Sequence, residues 1–141
     1  MTREEISEFF ARRDAAWQRH DSDTLAADHT ENGEVDSPLR GKVKGQNDIH
    51  DTYTDFFSSF PDAQYFTENL LIDGNKVSQF IKMTGTQSGD FCGLSPTGKQ
   101  FEIQCAFLFH FADSKIAHEI RIYDFTAMLL QLGVLKAKPA F

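Results

Sequence analysis

The stretch Phe101-Glu102-Ile103-Gln104-Cys105-Ala106-Phe107-Leu108-Phe109-His110-Phe111 puts an apolar side chain at every second position. Successive side chains of a strand point to opposite faces, so residues 101, 103, 105, 107, 109 and 111 form one apolar face. Glu102, Gln104 and His110 fall on the other. Asp113-Ser114 turns the chain, and Ile116, His118, Ile120, Ile122 and Asp124 then alternate along a second long strand. Upstream, Tyr65 to Asp73 and Lys76 to Thr86 read as the two arms of a hairpin around Asp73-Gly74-Asn75. Residues 125 to 132 read as a short terminal helix stopped by Gly133.

Ahead of these strands the period is that of a helix. Ile6, Phe9, Phe10, Arg13 and Trp17 share one stripe, and Thr2 with Glu5 has the spacing of a capping box. His20 to Asp23 interrupts the pattern, and Asp21 or Asp23 caps a second short helix ending near His29. Asn32-Gly33 reads as a turn, Glu34 to Ser37 as a short strand stopped by Pro38, and Gly41 to Gly45 as a loop. A third helix, capped by Asn47 or Asp48, carries Ile49, Tyr53, Phe56, Phe57 and Phe60 and ends at Pro61. Helices, a short strand, a helix and then a strand meander make an α+β pattern rather than βαβ repeats. With no repeat and no linker, residues 1–141 are expected to form a single domain.

Composition narrows the function. The 141 residues carry 14 Lys and Arg against 21 Asp and Glu, a formal charge of −7. A polyanion needs a basic stripe, so nucleic acid is not an expected partner. The densest basic stretch, Arg40, Lys42 and Lys44, reads as a solvated turn. No run of about 18 apolar residues spans a membrane, and the N-terminus has no apolar signal core, so a cytoplasmic protein is expected. Cys92 and Cys105 have no partner at metal-ligand spacing, and no metal site is expected. Gly93 to Gln100 nearly spells a phosphate-binding loop. However, Gln100 replaces the hydroxyl residue that would hold Mg²⁺, and the glycines run into a strand where a helix is required. A hairpin connection is the expectation there. Fourteen Phe stand against three Tyr and one Trp, so the interior is rich in rings without polar handles.

Two residues on the last strand stand out. His118 shares a face with Ile116, Ile120 and Ile122, and Asp124 continues that face. A carboxylate among isoleucines costs free energy unless something compensates. Asp124 either caps the helix that begins at Phe125, or lies at the rim of an apolar cavity, where burial raises its pKa into a range useful for acid/base work. Spacing leaves both readings open. No Ser/His/Asp triad is legible, and Cys105 in its Phe row lacks the setting of an activated nucleophile.

Four pieces of sequence carry a family resemblance: Asp36-Ser37-Pro38-Leu39 with Gly41 and Gly45; Phe60-Pro61-Asp62; Gly85-Thr86, Gly89, Gly93 and Pro96-Thr97-Gly98-Lys99; and Lys115-Ile116 leading to Asp124 and Leu129-Leu130-Gln131-Leu132-Gly133. In this order the chain resembles the SnoaL-like polyketide cyclases and related ester cyclases of the nuclear transport factor two-like superfamily. The resemblance implies a cone-shaped α+β barrel. In it a curved, mixed but mostly antiparallel sheet wraps around three N-terminal helices and encloses one deep pocket. It also implies a homodimer packed through the sheet, and ring closure by intramolecular aldol condensation with neither metal nor cofactor. Asp124 matches the family's general acid/base aspartate, and His118 is expected to assist or orient it. Trp17, His29, Ser37, Phe57, Phe60, Cys105, Phe107 and Ile120 are the expected pocket residues. A steroid-isomerase-like member would carry an aspartate just before the strand-ending proline. Here Ser37 holds that position, with Asp36 one residue earlier and on the other face. The expected function is a cofactor-independent cyclase or isomerase-type enzyme acting on a hydrophobic, polyketide-like carbonyl compound. The alternative is a non-catalytic module of the same fold that binds a small hydrophobic ligand.

Overall fold

The Phe101–Phe111 alternation is realised as one long strand whose six alternate side chains are all buried. A computed structural model describes residues 1–137 of the chain. Residues 138–141, included in the expected domain, lie outside the described residues. The elements follow in the order α1 (Arg3–Gln18), α2 (Ser22–Ala27), β1 (His29–Ser37), β2 (Gly41–Lys44), α3 (Gln46–Ser59), β3 (Gln64–Asp73), β4 (Lys76–Thr86), β5 (Gln100–Ala112), β6 (Lys115–Tyr123) and α4 (Phe125–Gln131). The strands form one six-stranded sheet in the order β2-β1-β6-β5-β4-β3. Only the β1–β6 pairing is parallel, so the sheet is mixed and mostly antiparallel. It curves without closing, with β2 and β3 as its edges.

Local chemistry sets the element ends. Thr2 and Glu5 complete a reciprocal capping box on α1. The Asp21 carboxylate accepts from the Thr24 N–H at 3.0 Å and starts α2. The start of α3 differs from expectation. Gly45, at φ +91°, is the N-cap and no side chain caps the helix, so neither Asn47 nor Asp48 does that work. Asn32-Gly33 is not a turn between elements but an irregularity inside β1, where the register against β6 shifts between His29 and Glu34. Glycine relieves crowding there, because a Cβ on Gly33 would lie 3.0 Å from the His29 Cβ and 3.2 Å from the Ile116 carbonyl. Residues 41–44 pair with β1 as a short edge strand rather than looping. Residues 87–99 are the connection from β4 to β5, and the Gln87 side-chain amide holds the carbonyls of Leu94 and Ser95, each at 3.1 Å.

The decisive departure lies in β6. Phe111 pairs with Ile116, but His110 pairs with His118, which leaves Ala117 as an extra residue. An inserted residue reverses the parity of everything beyond it. Ile116 is buried, but past the bulge it is Glu119, Arg121 and Tyr123 that stand beside Phe109, Phe107 and Cys105 on the inner face. His118, Ile120 and Ile122 turn outward, and Ile122 is 64% exposed. This corrects the expectation that Ile116, His118, Ile120, Ile122 and Asp124 share one inward face.

The helices close the inner face with rings. Phe10 meets Phe109 edge-on at 4.9 Å and Phe9 meets Phe111 at 5.1 Å. Trp17 stacks flat on Tyr65 at 4.5 Å. Phe60, beyond the end of α3, packs against Phe101 at 4.9 Å. Phe109 sits at the centre of this packing with no exposed surface. Phe109→Ala is therefore expected to cost about 3–5 kcal/mol of folding stability. Urea unfolding would report this as a lower midpoint at unchanged slope, and a loss below about 1 kcal/mol would contradict a close-packed inner face.

Candidate active site

Arg13 occupies the apolar stripe of α1 beside Phe9, Phe10 and Trp17, so helix geometry drives a guanidinium into the interior. Its side chain is 1% exposed and must find acceptors inside. It donates to the Leu25 carbonyl at 3.1 Å, the Asp28 carboxylate at 3.1 Å, the Tyr53 hydroxyl oxygen at 2.6 Å and the Glu119 carboxylate at 3.2 Å. Glu119, brought inward by the bulge, has no exposed surface. Arg121 Nε donates to its second carboxylate oxygen, and His29 Nε2 lies 3.4 Å from the first. Arg121 Nη2 donates to the Tyr53 oxygen at 2.8 Å. One buried cluster thus joins α1, the end of α2, β1, α3 and β6.

Charge holds charge in this cluster. Burial pushes the Glu119 carboxyl up, but Arg121, His29 and Arg13 outweigh it and keep the group well below the usual carboxylate range. Burial works against the Arg121 cation, and Glu119 and Tyr53 more than offset it. For Tyr53 burial prevails over the pull of Arg13 and Arg121, so its pKa is raised and it stays a neutral phenol.

Tyr53 and Arg121 carry the cluster to the wall of a cavity of about 60 Å³. That volume holds a few water molecules and is smaller than the roughly 150 Å³ of a benzene-sized cavity. The rest of the wall is mainly apolar and includes Trp17, Phe56, Met83 and Phe107. Leu39, Arg40, Thr52, Phe56 and Phe91 line both the cavity and a neighbouring groove, which marks the mouth. Arg40 bridges to Asp55 on α3 across 2.9 Å at this mouth. A molecule of several rings would fit only by extending from the cavity through this mouth into the groove.

The expected site residues are divided by the fold. Trp17, Ser37, Cys105 and Phe107 line the cavity. His29 lies behind it, with Nδ1 on the Leu25 carbonyl at 3.0 Å and Nε2 toward Glu119. Phe57 packs against Trp17 and His20, and Phe60 packs against Phe56, Phe91 and Phe101, so both stand behind the wall. Ile120 is on the outer face, in register with Leu108 and Asp36. His118 is also outside, 2.6 Å from the Asp36 carboxylate. Asp124 is exposed, and its carboxylate accepts from the Ala127 N–H at 2.8 Å as the N-cap of α4. It borders a shallow outer depression with Phe80 and Ile122. Asp124 and His118 are thus not brought together at the cavity. The bulge is the physical reason for His118 and Ile120.

Arg13, Tyr53, Glu119 and Arg121, which form the polar cluster beside the cavity, are absent from the expected site residues. The available signal was Arg13, a cation in an apolar helix stripe that needed an internal counter-charge. Among the described residues, no carboxylate and no imidazole lines the cavity, and no group of three His, Cys, Asp or Glu is placed to hold a metal. Burial pushes the Cys105 thiol up to about 12, which leaves it protonated and unreactive. The wall can therefore hold an apolar skeleton and donate hydrogen bonds to an oxygen that the skeleton carries.

The Glu119 cluster makes a pH prediction. A carboxyl whose folded pKa is depressed contributes stability above its unfolded pKa of about 4.3, and that contribution is lost as pH falls through the lower folded value. Glu119→Gln should cost about 3–5 kcal/mol at pH 7 because it leaves two buried arginines short of charge. Denaturation midpoints measured from pH 7 to pH 2 should then decline less steeply below about pH 4.3 than in the parent protein. Parallel pH curves for the two proteins would contradict this account.

The profile of the SnoaL-like polyketide cyclases matches residues 8–132. No curated protein matches the chain in sequence. Solved structures are similar at low identity. AclR, a proposed hydroxylase from Streptomyces galilaeus, superposes with a TM-score of 0.84 at 22% identity, covering 98% of this chain and 91% of that one. A protein of ketosteroid isomerase-like fold from Catenulispora acidiphila gives 0.76 at 16% identity over 94% and 95% of the two chains. A SnoaL-like polyketide cyclase from Agrobacterium tumefaciens gives 0.74 at 19% identity over 91% and 98%. The fold is that of the ketosteroid isomerase-like proteins, and no helix among the described residues is long and apolar enough to cross a membrane. With its profile match spanning nearly the whole chain, the protein belongs to the SnoaL-like polyketide cyclase family.

Proposed function

We propose that this chain is a cofactor-independent cyclase whose substrate, a hydrophobic carbonyl compound of the polyketide kind, lies in the cavity against Trp17 and Phe107. The observation that carries this reading is the composition of the wall: aromatic and aliphatic side chains with one deeply anchored guanidinium, Arg121. An apolar skeleton fits such a wall, and the guanidinium suits an oxygen that gains negative charge as an enolate forms. The proton-transfer role of Asp124 rests on the family resemblance. Its geometry speaks for the cap, because the carboxylate is exposed and engaged with Ala127. That same observation, with no carboxylate or imidazole among the described lining residues, favours a second reading in which the cavity binds a hydrophobic ligand without chemistry.

Asn caps a helix about as well as Asp, so Asp124→Asn separates the roles without disturbing the fold. The cyclase reading expects kcat on an aromatic polyketide ester with a free ketone side chain to fall by about 10²–10⁴, with ligand affinity unchanged. Product formation followed by liquid chromatography and mass spectrometry reads this out. Retained turnover would reduce Asp124 to a cap. Binding by the parent protein without any turnover would favour the binding module.

Pairing of two copies through the sheet belongs to the same proposal. Phe80, Ala106 and Ile122 stand in one cross-strand row on the outer face, with Leu71, Leu108 and Ile120 in a neighbouring row. Phe80 is 42% exposed and Leu71 60%, a cluster that a lone soluble chain seldom leaves uncovered. Ile122→Asp should shift the mass measured by sedimentation equilibrium from dimer to monomer at micromolar concentration. A parent protein that is monomeric at those concentrations would refute the pairing.

A further inference from the structure

We propose that the ligand of the cavity carries a planar anionic oxygen group, a carboxylate or the enolate of a 1,3-dicarbonyl, held jointly by Trp17, Tyr53 and Arg121. This rests on the reading of the cavity as the ligand site and names the chemistry that site selects.

Three hydrogen-bond donors of residues that line the cavity have no protein acceptor among the described residues. Tyr53 is the clearest. Its oxygen accepts from Arg13 Nη2 at 2.6 Å and from Arg121 Nη2 at 2.8 Å, which uses both lone pairs. Its own O–H proton must point elsewhere. Arg121 spends Nε on Glu119 and Nη2 on Tyr53, and Nη1 is left to donate outside the cluster. Trp17 Nε1 is buried with no partner. These groups come from α3, β6 and α1 and belong to residues that line the same cavity.

Anionic acceptors are lacking. No carboxylate lines the cavity among the described residues, and the acceptors that remain are the neutral hydroxyls of Ser37, Thr52 and Tyr123. A wall with unpaired donors, a guanidinium and no anion disfavours an ammonium head and favours a group that only accepts. The charge of Arg121 sharpens this toward an anion, since its side chain is only 16% exposed and water screens it little. Orientation is fixed as well. The Arg121 guanidinium lies 5.2 Å from the ring centres of both Tyr53 and Phe107, so its free edge cannot swing away. An aromatic acid or an acidic enol conjugated to a ring satisfies the donors with its oxygens and the aromatic wall with its skeleton.

Calorimetric titration of the parent protein with 2-naphthoate and with 2-naphthamide tests this, because the two differ in charge and in having acceptors only. The carboxylate is expected to bind at least about tenfold more tightly, and Tyr53→Phe should shrink that ratio at least threefold. Arg121→Met should abolish it, provided circular dichroism shows the variant folded. Equal affinity for the two probes in the parent protein would overturn this proposal and leave the cavity as a ligand site. Failure of both to bind, with the emission of the single Trp17 unchanged, would overturn the ligand-site reading as well.

Discussion

A carboxylate with no exposed surface sits in the middle of an aromatic interior, and the rest of the molecule is arranged around its charge. Glu119 cannot remain ionised there on its own, because removal from water costs far more than packing returns. Arg13 from the first helix, His29 from the first strand and Arg121 from its own strand supply the compensation. Arg13 and Arg121 are themselves buried or nearly so, and each draws part of its counter-charge from Glu119. Tyr53 ties the third helix to the same group through both arginines. Together with the Asp14 carboxylate of α1, which accepts from Thr67 at 2.7 Å and Gln79 at 3.1 Å, the cluster adds polar ties to the ring packing of helices on the sheet.

The same cluster gives the cavity its character. Glu119 and Tyr53 use their acceptor capacity on the protein's own arginines, so the charge that reaches the cavity from this cluster is positive and the only other polar groups of the described wall are neutral. An apolar pocket with such a wall is suited to developing negative charge on oxygen, which is where proton transfer at a carbonyl places it. The polar atoms are fixed by packing and by each other before any ligand arrives, so little reorganisation is left to do.

Much of this was legible in the sequence. The Phe row from Phe101 to Phe111, the hairpin at Gly74, the capping box at Thr2 and the Asp21 cap all follow from local rules, and the family resemblance carried the sheet around its helices. Of the expected pocket residues, Trp17, Ser37, Cys105 and Phe107 lie along the cavity. The site chemistry was not legible, for one physical reason. Period-two reading assumes uninterrupted pairing, and Ala117 interrupts it. Alanine is no outlier in a strand, so nothing in its identity announces a bulge. Beyond it the isoleucines, the strongest apolar signal in the strand, face out, while Glu119 and Arg121 face in. One clue survived the slip. Arg13 in an apolar stripe demands a buried anion, which both Asp28 and Glu119 supply. Spacing allows Asp124 to be a cap or a rim carboxyl, and its bond to the Ala127 N–H is a cap's bond.

A crystal structure of the 2-naphthoate complex tests the central claim most directly, because it fixes both where the ligand lies and which way it faces. The account predicts the naphthalene ring against Trp17 and Phe107, with the carboxylate oxygens within hydrogen-bond distance of the Tyr53 hydroxyl and Arg121 Nη1. A ligand on the outer sheet face beside Asp124, or a ring in the cavity with its carboxylate turned to the mouth, would contradict it.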